Sequence, residues 1–266
     1  MSKNQKIIIS SISTLIVLSG IIFVIFNHPF RSKPSIQNEN TSMTPEQSSS
    51  MPTGESKIVT KTTLPYTFTP YKNTGLVLEK KIDLYAPLKK DVETRLLETQ
   101  KTIASFTKET SIDTQVNTLF VLSADQQVLG KYGDAKKTLE KALSLGQNEN
   151  LLQSYASLLM LMGSPQGGLI YINQAIQINP TASNFWRTRL DIERLLYKND
   201  LSKLDATFVL GLQKTNNDID MVTYYAVYLT EMKQYDKAIT YWQKAMTVYP
   251  ERKDMYQQEI DLLKTR

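Results

Sequence analysis

The chain of 266 residues contains no cysteine and a single histidine, His28. Without cysteine there are no disulfides, thiolate metal sites, iron–sulfur clusters, thiol nucleophiles or cysteine-linked lipid anchors. One histidine does not make a multi-histidine metal centre. A Ser–His arrangement would have to reach His28, which stands at the end of an apolar run, away from any folded domain. Aspartates and glutamates are scattered with no pairing that marks acid–base work. The stretch Gly163-Ser164-Pro165-Gln166-Gly167-Gly168 lacks the Gly-Lys-Ser/Thr ending of a phosphate loop. No catalytic residue, metal site or cofactor is therefore assigned, and the chain is not expected to be an enzyme.

What is present begins with charge. The net charge is +5 and the pI about 9.1, but the excess is unevenly placed. Residues 83–266 carry 22 basic and 22 acidic side chains, so the surplus lies entirely within residues 1–82. A nucleic-acid footprint needs its basic stripe on the folded domain, so no nucleic acid is expected as a partner. The surplus instead flanks an apolar run, where it can orient insertion or meet anionic headgroups.

That run, Ile7 to Phe26, is 20 residues without a charge. At 1.5 Å per residue it matches a hydrocarbon core about 30 Å thick. It exceeds the usual core of a cleaved signal peptide, and Phe26-Asn27-His28-Pro29-Phe30 offers no small-x-small cleavage pattern. The expectation is an uncleaved signal anchor over 7–27, behind a short cytoplasmic tail, 1–6. The carboxyl-terminal part would then lie on the extracytoplasmic side of a membrane, as in a single-pass protein of the bacterial cell membrane.

Residues 28–82 read as a flexible linker. Its first part, to about 63, is rich in Ser, Thr, Pro, Asn and Gln and has too little apolar surface to offset ordering entropy. A flexible chain of that length spans roughly 30–36 Å. From Leu64 the composition shifts, with Tyr66, Phe68 and Tyr71 set among Pro65 and Pro70. One reading is a loop at the domain edge. The other is a tethered aromatic peptide that lies on the domain's own surface and blocks it.

A helical segment is expected over 83–115, where Leu88, Val92, Leu96, Ile103 and Phe106 recur at helical spacings behind Pro87. Beyond it the chain becomes periodic. Gly130, Tyr132, Ala135, Leu139 and Ala142 make one set; Ala156, Gly163, Gly168, Ile172, Ala175 and Pro180 make a second. Ala226, Tyr235, Ala238, Trp242, Ala245 and Pro250 make a third. The alanines at 142, 175 and 245 lie 33 and then 70 residues apart. The longer gap requires a degenerate unit at about 183–218, with Trp186 in place but Arg189 and Leu190 off the pattern. Residues 251–266 read as a capping helix, with Met255, Ile260, Leu262 and Leu263 covering the last unit.

These sets resemble tetratricopeptide-repeat (TPR) proteins over about 116–250, roughly half of the chain. The resemblance implies an all-α, TPR-like solenoid of antiparallel helical hairpins, about four repeats in all. Small residues let paired helices approach, large apolar ones fill the space between hairpins, and proline ends each second helix. It also implies a groove lined by the first helix of each hairpin. By repeat position that groove holds Phe120, Ala124 and Gln127, then Gln153, Ser157 and Met160. Arg187, Asp191 and Arg194 follow, with Thr223, Val227 and Thr230 in the last unit. Arg187 and Arg194 stand about two turns apart on one face with Asp191 between them: either an ordinary solvated i,i+4 pair, or one guanidinium that meets a partner carboxylate through a bidentate fork. The family's clamp for carboxyl-terminal peptides uses Lys and Asn where Phe120 and Ala124 stand here, which disfavours that mode. The function read from the sequence is a membrane-tethered scaffold binding a protein or peptide, in envelope assembly or secretion. The alternative is a structural subunit packed permanently in an oligomeric membrane complex.

Overall fold

The computed structural model describes residues 67–198 and 200–266. They belong to one compact unit, Val59–Arg266; the other unit, Met1–Ile58, lies outside the described residues, and with it the expected tail and anchor. Among the described residues no helix is long and apolar enough to cross a membrane.

Ten α-helices follow an extended stretch among these residues. The first, α1, is Ala86–Ala104. Four antiparallel hairpins succeed it: α2 Ile112–Val128 with α3 Tyr132–Leu145, and α4 Glu149–Leu161 with α5 Pro165–Ile178. Next come α6 Ser183–Tyr197 with α7 Leu201–Lys214, and α8 Ile219–Glu231 with α9 Tyr235–Val248. A single 3₁₀ turn, Pro250–Arg252, leads into α10, Lys253–Lys264. The result is an all-α, TPR-like stack.

Local chemistry sets the helix ends. Ser111 caps α2 by accepting from the Thr114 amide, and Asn148 caps α4 by accepting from Leu151. Asp200 and Asp218 do the same for α7 and α8. Pro165 opens α5, where a missing N–H costs nothing. Each hairpin turn passes through a left-handed residue: Gly130, Gly163, Lys198 and Lys233.

Packing follows the small-residue pattern. Ala142, Ala175 and Ala245 are fully buried. At Gly168 a Cβ would stand 2.7 Å from the carbonyl oxygen of Ala156, so α4 and α5 meet there at backbone distance. The degenerate third hairpin keeps its small residue as Gly211, 36 residues after Ala175 and 34 before Ala245. The slip arises because α6 has 15 residues where α4 and α8 have 13. Two added residues put α7 out of phase with a fixed period while keeping it in place in the stack.

First helices of successive hairpins touch, α4 with α6 and α6 with α8, while second helices meet less. α4, α6 and α8 thus form an inner row. At the carboxyl end, Tyr256, Ile260 and Leu263 of α10 are buried, and Tyr256 stacks on Trp242 with ring centroids 5.8 Å apart. Met255 and Leu262, expected to share that role, are exposed instead. Tyr256 takes their place because its ring lies flat on the indole.

The end of the expected linker also needs correction. Residues 67–82 are not a free tether but run extended across the turns of the first two hairpins. Val77 N–H donates to the Met162 carbonyl at 2.9 Å, Lys80 N–H to Gly130 at 3.0 Å, and Gly133 N–H to Leu78 at 2.7 Å. Unsatisfied turn groups have found an extended partner, as exposed backbone groups do.

Candidate functional site

The inner row is built from helix faces one repeat apart. Gln153 on α4 donates through Nε2 to Thr188 Oγ1 at 2.8 Å, and Asn184 Nδ2 returns a bond to Gln153 Oε1 at 2.9 Å. Between α6 and α8 the contacts become charged and aromatic. Arg187 lies over the ring of Tyr224, 5.4 Å from its centroid, and Tyr224 donates its hydroxyl to Asp191. Arg194 donates to Glu231 Oε2 at 2.6 Å and lies 5.2 Å over Tyr228.

These contacts change the reading of the α6 side chains. Arg194, one of the two candidates for a partner carboxylate, already serves Glu231, and Asp191 already accepts from Tyr224. Arg187 makes no hydrogen bond or ion pair among the described residues; its half-buried guanidinium lies over an aromatic face near the Asp191 charge. Burial raises the Asp191 carboxyl above the usual range, against the lowering influence of the Tyr224 hydroxyl and the nearby Arg194 and Arg187. The Tyr224 hydroxyl is pushed far up, first by burial and then by the Asp191 charge.

The other expected groove residues divide. Val227 is 40% exposed, and Ser157 and Thr223 are half-buried. Thr223 turns its hydroxyl back to the Ile219 carbonyl at 2.8 Å, and Thr230 likewise bonds Ala226 at 2.9 Å. Phe120 and Met160 pack against the core, and Ala124 is half-buried. Gln127 is buried, so its side chain is not offered to a partner in this arrangement. Its burial follows from position: α2 lies between α1 and its hairpin partner α3, and neighbouring Asp125 receives Arg95 of α1, Nε standing 3.0 Å from each carboxylate oxygen. Burial raises the Asp125 carboxyl even though Arg95 opposes the shift.

Sequence reasoning does not identify the α8 partners Tyr224, Tyr228 and Glu231, nor Asn184 and Thr188. The signal that could have found them is the period itself. Asp191 and Tyr224 are 33 residues apart, and Arg194 and Glu231 are 37. A residue on one first helix faces another about one repeat later.

A second built surface lies at the turn edge. Tyr155 on α4 and Tyr171 on α5 form an edge-on pair at 4.8 Å, and Phe68 of the extended segment packs at 5.5 Å from Tyr155 and 6.0 Å from Tyr171. Tyr155 donates its hydroxyl to Glu140 Oε1 at 2.7 Å, and Lys136 holds the same carboxylate at 2.5 Å. Burial pushes the Tyr171 hydroxyl up to about 12. The aromatic segment does dock on the domain. The residues it meets, Tyr155, Ser164, Gly167 and Tyr171, are not the inner-row positions named above. Among the described residues, no group of three His, Cys, Asp or Glu side chains is placed to hold a metal.

No protein-family model matches the chain, and no curated protein sequence does. Solved structures show some likeness. MamA matches at 15% identity over 62% of this chain and 87% of that one, with a TM-score of 0.45. YrrB, described as a TPR protein with an unusual peptide-binding site, matches at 18% over 66% and 86%, with a TM-score of 0.42. TTC0263, a thermophilic TPR protein of Thermus thermophilus, matches at 14% over 68% and 94%, with a TM-score of 0.48. The class assigned to this chain, an all-α TPR-like solenoid, rests on its own helix packing.

Proposed function

We propose that the protein is a non-catalytic scaffold whose inner row, centred on α6 and α8, binds a protein or peptide segment. The observation that carries this reading is Arg187, which lies over Tyr224 without a hydrogen-bond partner among the described residues, with the exposed apolar Val227 three residues beyond Tyr224 on α8. A planar cation next to a solvent-facing apolar side chain suits a segment with a carboxylate followed by an apolar residue. The apolar run 7–26 and the polar stretch after it support tethering at a membrane, with the scaffold on the extracytoplasmic side of a bacterial cell membrane. A role in envelope assembly or secretion fits such a placement.

Photo-crosslinking from the full chain tests the reading. A crosslinker at Val227 is expected to give a discrete adduct that Arg187→Ala weakens, while one at exposed Ile170 on α5 gives none. Equal adducts at both positions, or none at Val227, would reject the inner row as the binding face. Exposed Leu195, Val209 and Leu210 on α6 and α7 favour the second reading, a subunit packed permanently within a membrane complex. That reading requires a fixed stoichiometric assembly on extraction in mild detergent. A monomer would exclude it.

A further inference from the structure

The extended segment is bound the way a peptide ligand is bound. Tyr155 Oη accepts from the Tyr71 amide at 3.2 Å, and Tyr171 Oη donates to the Thr69 carbonyl at 2.6 Å. The helices therefore read one donor and one acceptor of the segment's backbone. Between them stands Pro70, which has no N–H to leave unsatisfied and whose ring holds φ at extended values. Two side chains fill the remaining space. Phe68 lies against the Tyr155–Tyr171 pair, and Tyr71 sits on Gly167, where a Cβ would come within 2.7 Å of its ring. Ser164 donates to the Tyr71 hydroxyl at 3.0 Å. Phe68 and Tyr71 are three residues apart, the spacing that puts two side chains on one face of a polyproline-type chain.

The slot is made of helix residues, and Tyr155 and Tyr171 are themselves buried. The occupant is more exposed by comparison. Thr67, Thr69, Pro70 and residues 72–75 are exposed, and Phe68 and Tyr71 are only half-buried. A segment this exposed opens locally at less cost than the buried helices beneath it, which stay folded.

We propose that Tyr155, Ser164, Gly167 and Tyr171 form a peptide-recognition slot for extended Phe-x-Pro-Tyr segments. Its resident ligand is this chain's own Phe68–Tyr71, and a partner segment of the same chemistry replaces it. The slot lies apart from the inner row and stands whether or not the inner row binds a partner.

The test is a titration of a fluorescein-labelled peptide of residues 64–75 into the full chain in detergent micelles. Wild type, Phe68→Ala/Tyr71→Ala, and that double variant with Gly167→Leu added are compared by anisotropy. A segment held in cis competes at an effective concentration of order millimolar. The double variant is therefore expected to bind the peptide saturably and at least about tenfold more tightly than wild type. Adding Gly167→Leu, which fills the Tyr71 seat, is expected to abolish that binding. No saturable binding to the helical double variant up to about 1 mM, the scale of the cis competitor, overturns the proposal. So does equal binding by all three proteins, which places the peptide elsewhere. Should the double variant lose helicity, Phe68→Ser, with the Tyr71 contacts retained, takes its place in the titration, and the same two outcomes overturn the proposal.

Discussion

The first two hairpins and the last two are joined by different means. Across α2/α3 and α4/α5 an extended backbone is laid over the turns, and much of the adhesion is main-chain hydrogen bonding and ring packing. Between α6/α7 and α8/α9 buried Phe208 of α7 stacks on Tyr225 and Tyr228 of α8, and the inner row adds a cation on a ring, a phenol on a carboxylate and an arginine–glutamate pair. A hairpin repeat buries little by itself and depends on its neighbours. The two halves show that this dependence can be met by an added strand of chain outside the repeats or by chemistry within them. The first device uses sequence upstream of the repeats; the second commits charged positions that would otherwise be open to partners.

The largest expected effect sharpens the role of the strap. Gly130 and Gly163 both have positive φ, but only at Gly130 would a Cβ run into a backbone carbonyl, that of Lys80; at Gly163 nothing lies nearby. Gly163→Ala is expected to cost the left-handed penalty alone, about 1–2 kcal/mol. Gly130→Ala is expected to add about 1–3 kcal/mol of overpacking and to expose residues 67–80 to protease. Urea unfolding with limited proteolysis measures both. Equal losses would show that the strap contributes nothing at this turn.

Next in size is Tyr224→Phe, which removes the hydroxyl that serves Asp191 and leaves a carboxyl held against α8 without its donor. A loss of about 1–3 kcal/mol is expected in urea unfolding. A loss no larger than that of an exposed Tyr→Phe control would mean that the phenol–carboxylate bond does not join these hairpins. Smaller again is the Arg194–Glu231 pair, part-exposed on both sides. A double-mutant cycle with alanine at each is expected to give about 0.2–1 kcal/mol, falling as salt is added. A salt-independent value would mean that packing over Tyr228, not charge, joins these helices.

Alkaline titration reaches the first half through Tyr171. Its phenol ionises near pH 10 when unfolded and is held neutral to about 12 when folded. Its share of stability is present in full below pH 10 and is lost as pH rises from about 10 to about 12. Tyr171→Phe is expected to flatten part of the decline of melting temperature across that window. An unchanged decline would assign it to other tyrosines.

The repeat architecture is legible in the sequence because its cause is local and periodic: Ala142, Ala175 and Ala245 mark where helices touch. The third hairpin is harder to read because two residues added to α6 move its small position to Gly211, off a fixed count. The candidate site is legible as a row of helix positions, not in the contacts those positions make. Arg187, Asp191 and Arg194 do share the inner row, but their engagement by Tyr224, Tyr228 and Glu231 depends on how adjacent hairpins are set against one another. Gln127 reads as open because helix phase alone does not reveal that α1 closes over α2. Residues 67–82 read as linker because an extended segment with two aromatic anchors carries no periodicity; its partners are 50 to 102 residues away.

That separation sets a timetable. Inner-row hydrogen bonds span 31 to 37 residues, so each forms once the next hairpin is made. Thr69 precedes its partner Tyr171 by 102 residues. At about 5–20 residues per second, synthesis leaves the aromatic segment without its seat for roughly 5–20 s. The earliest-made part of the described unit thus waits about three times as long for its partner as an inner-row residue does, and in that interval Phe68 and Tyr71 are open to whatever meets the nascent chain.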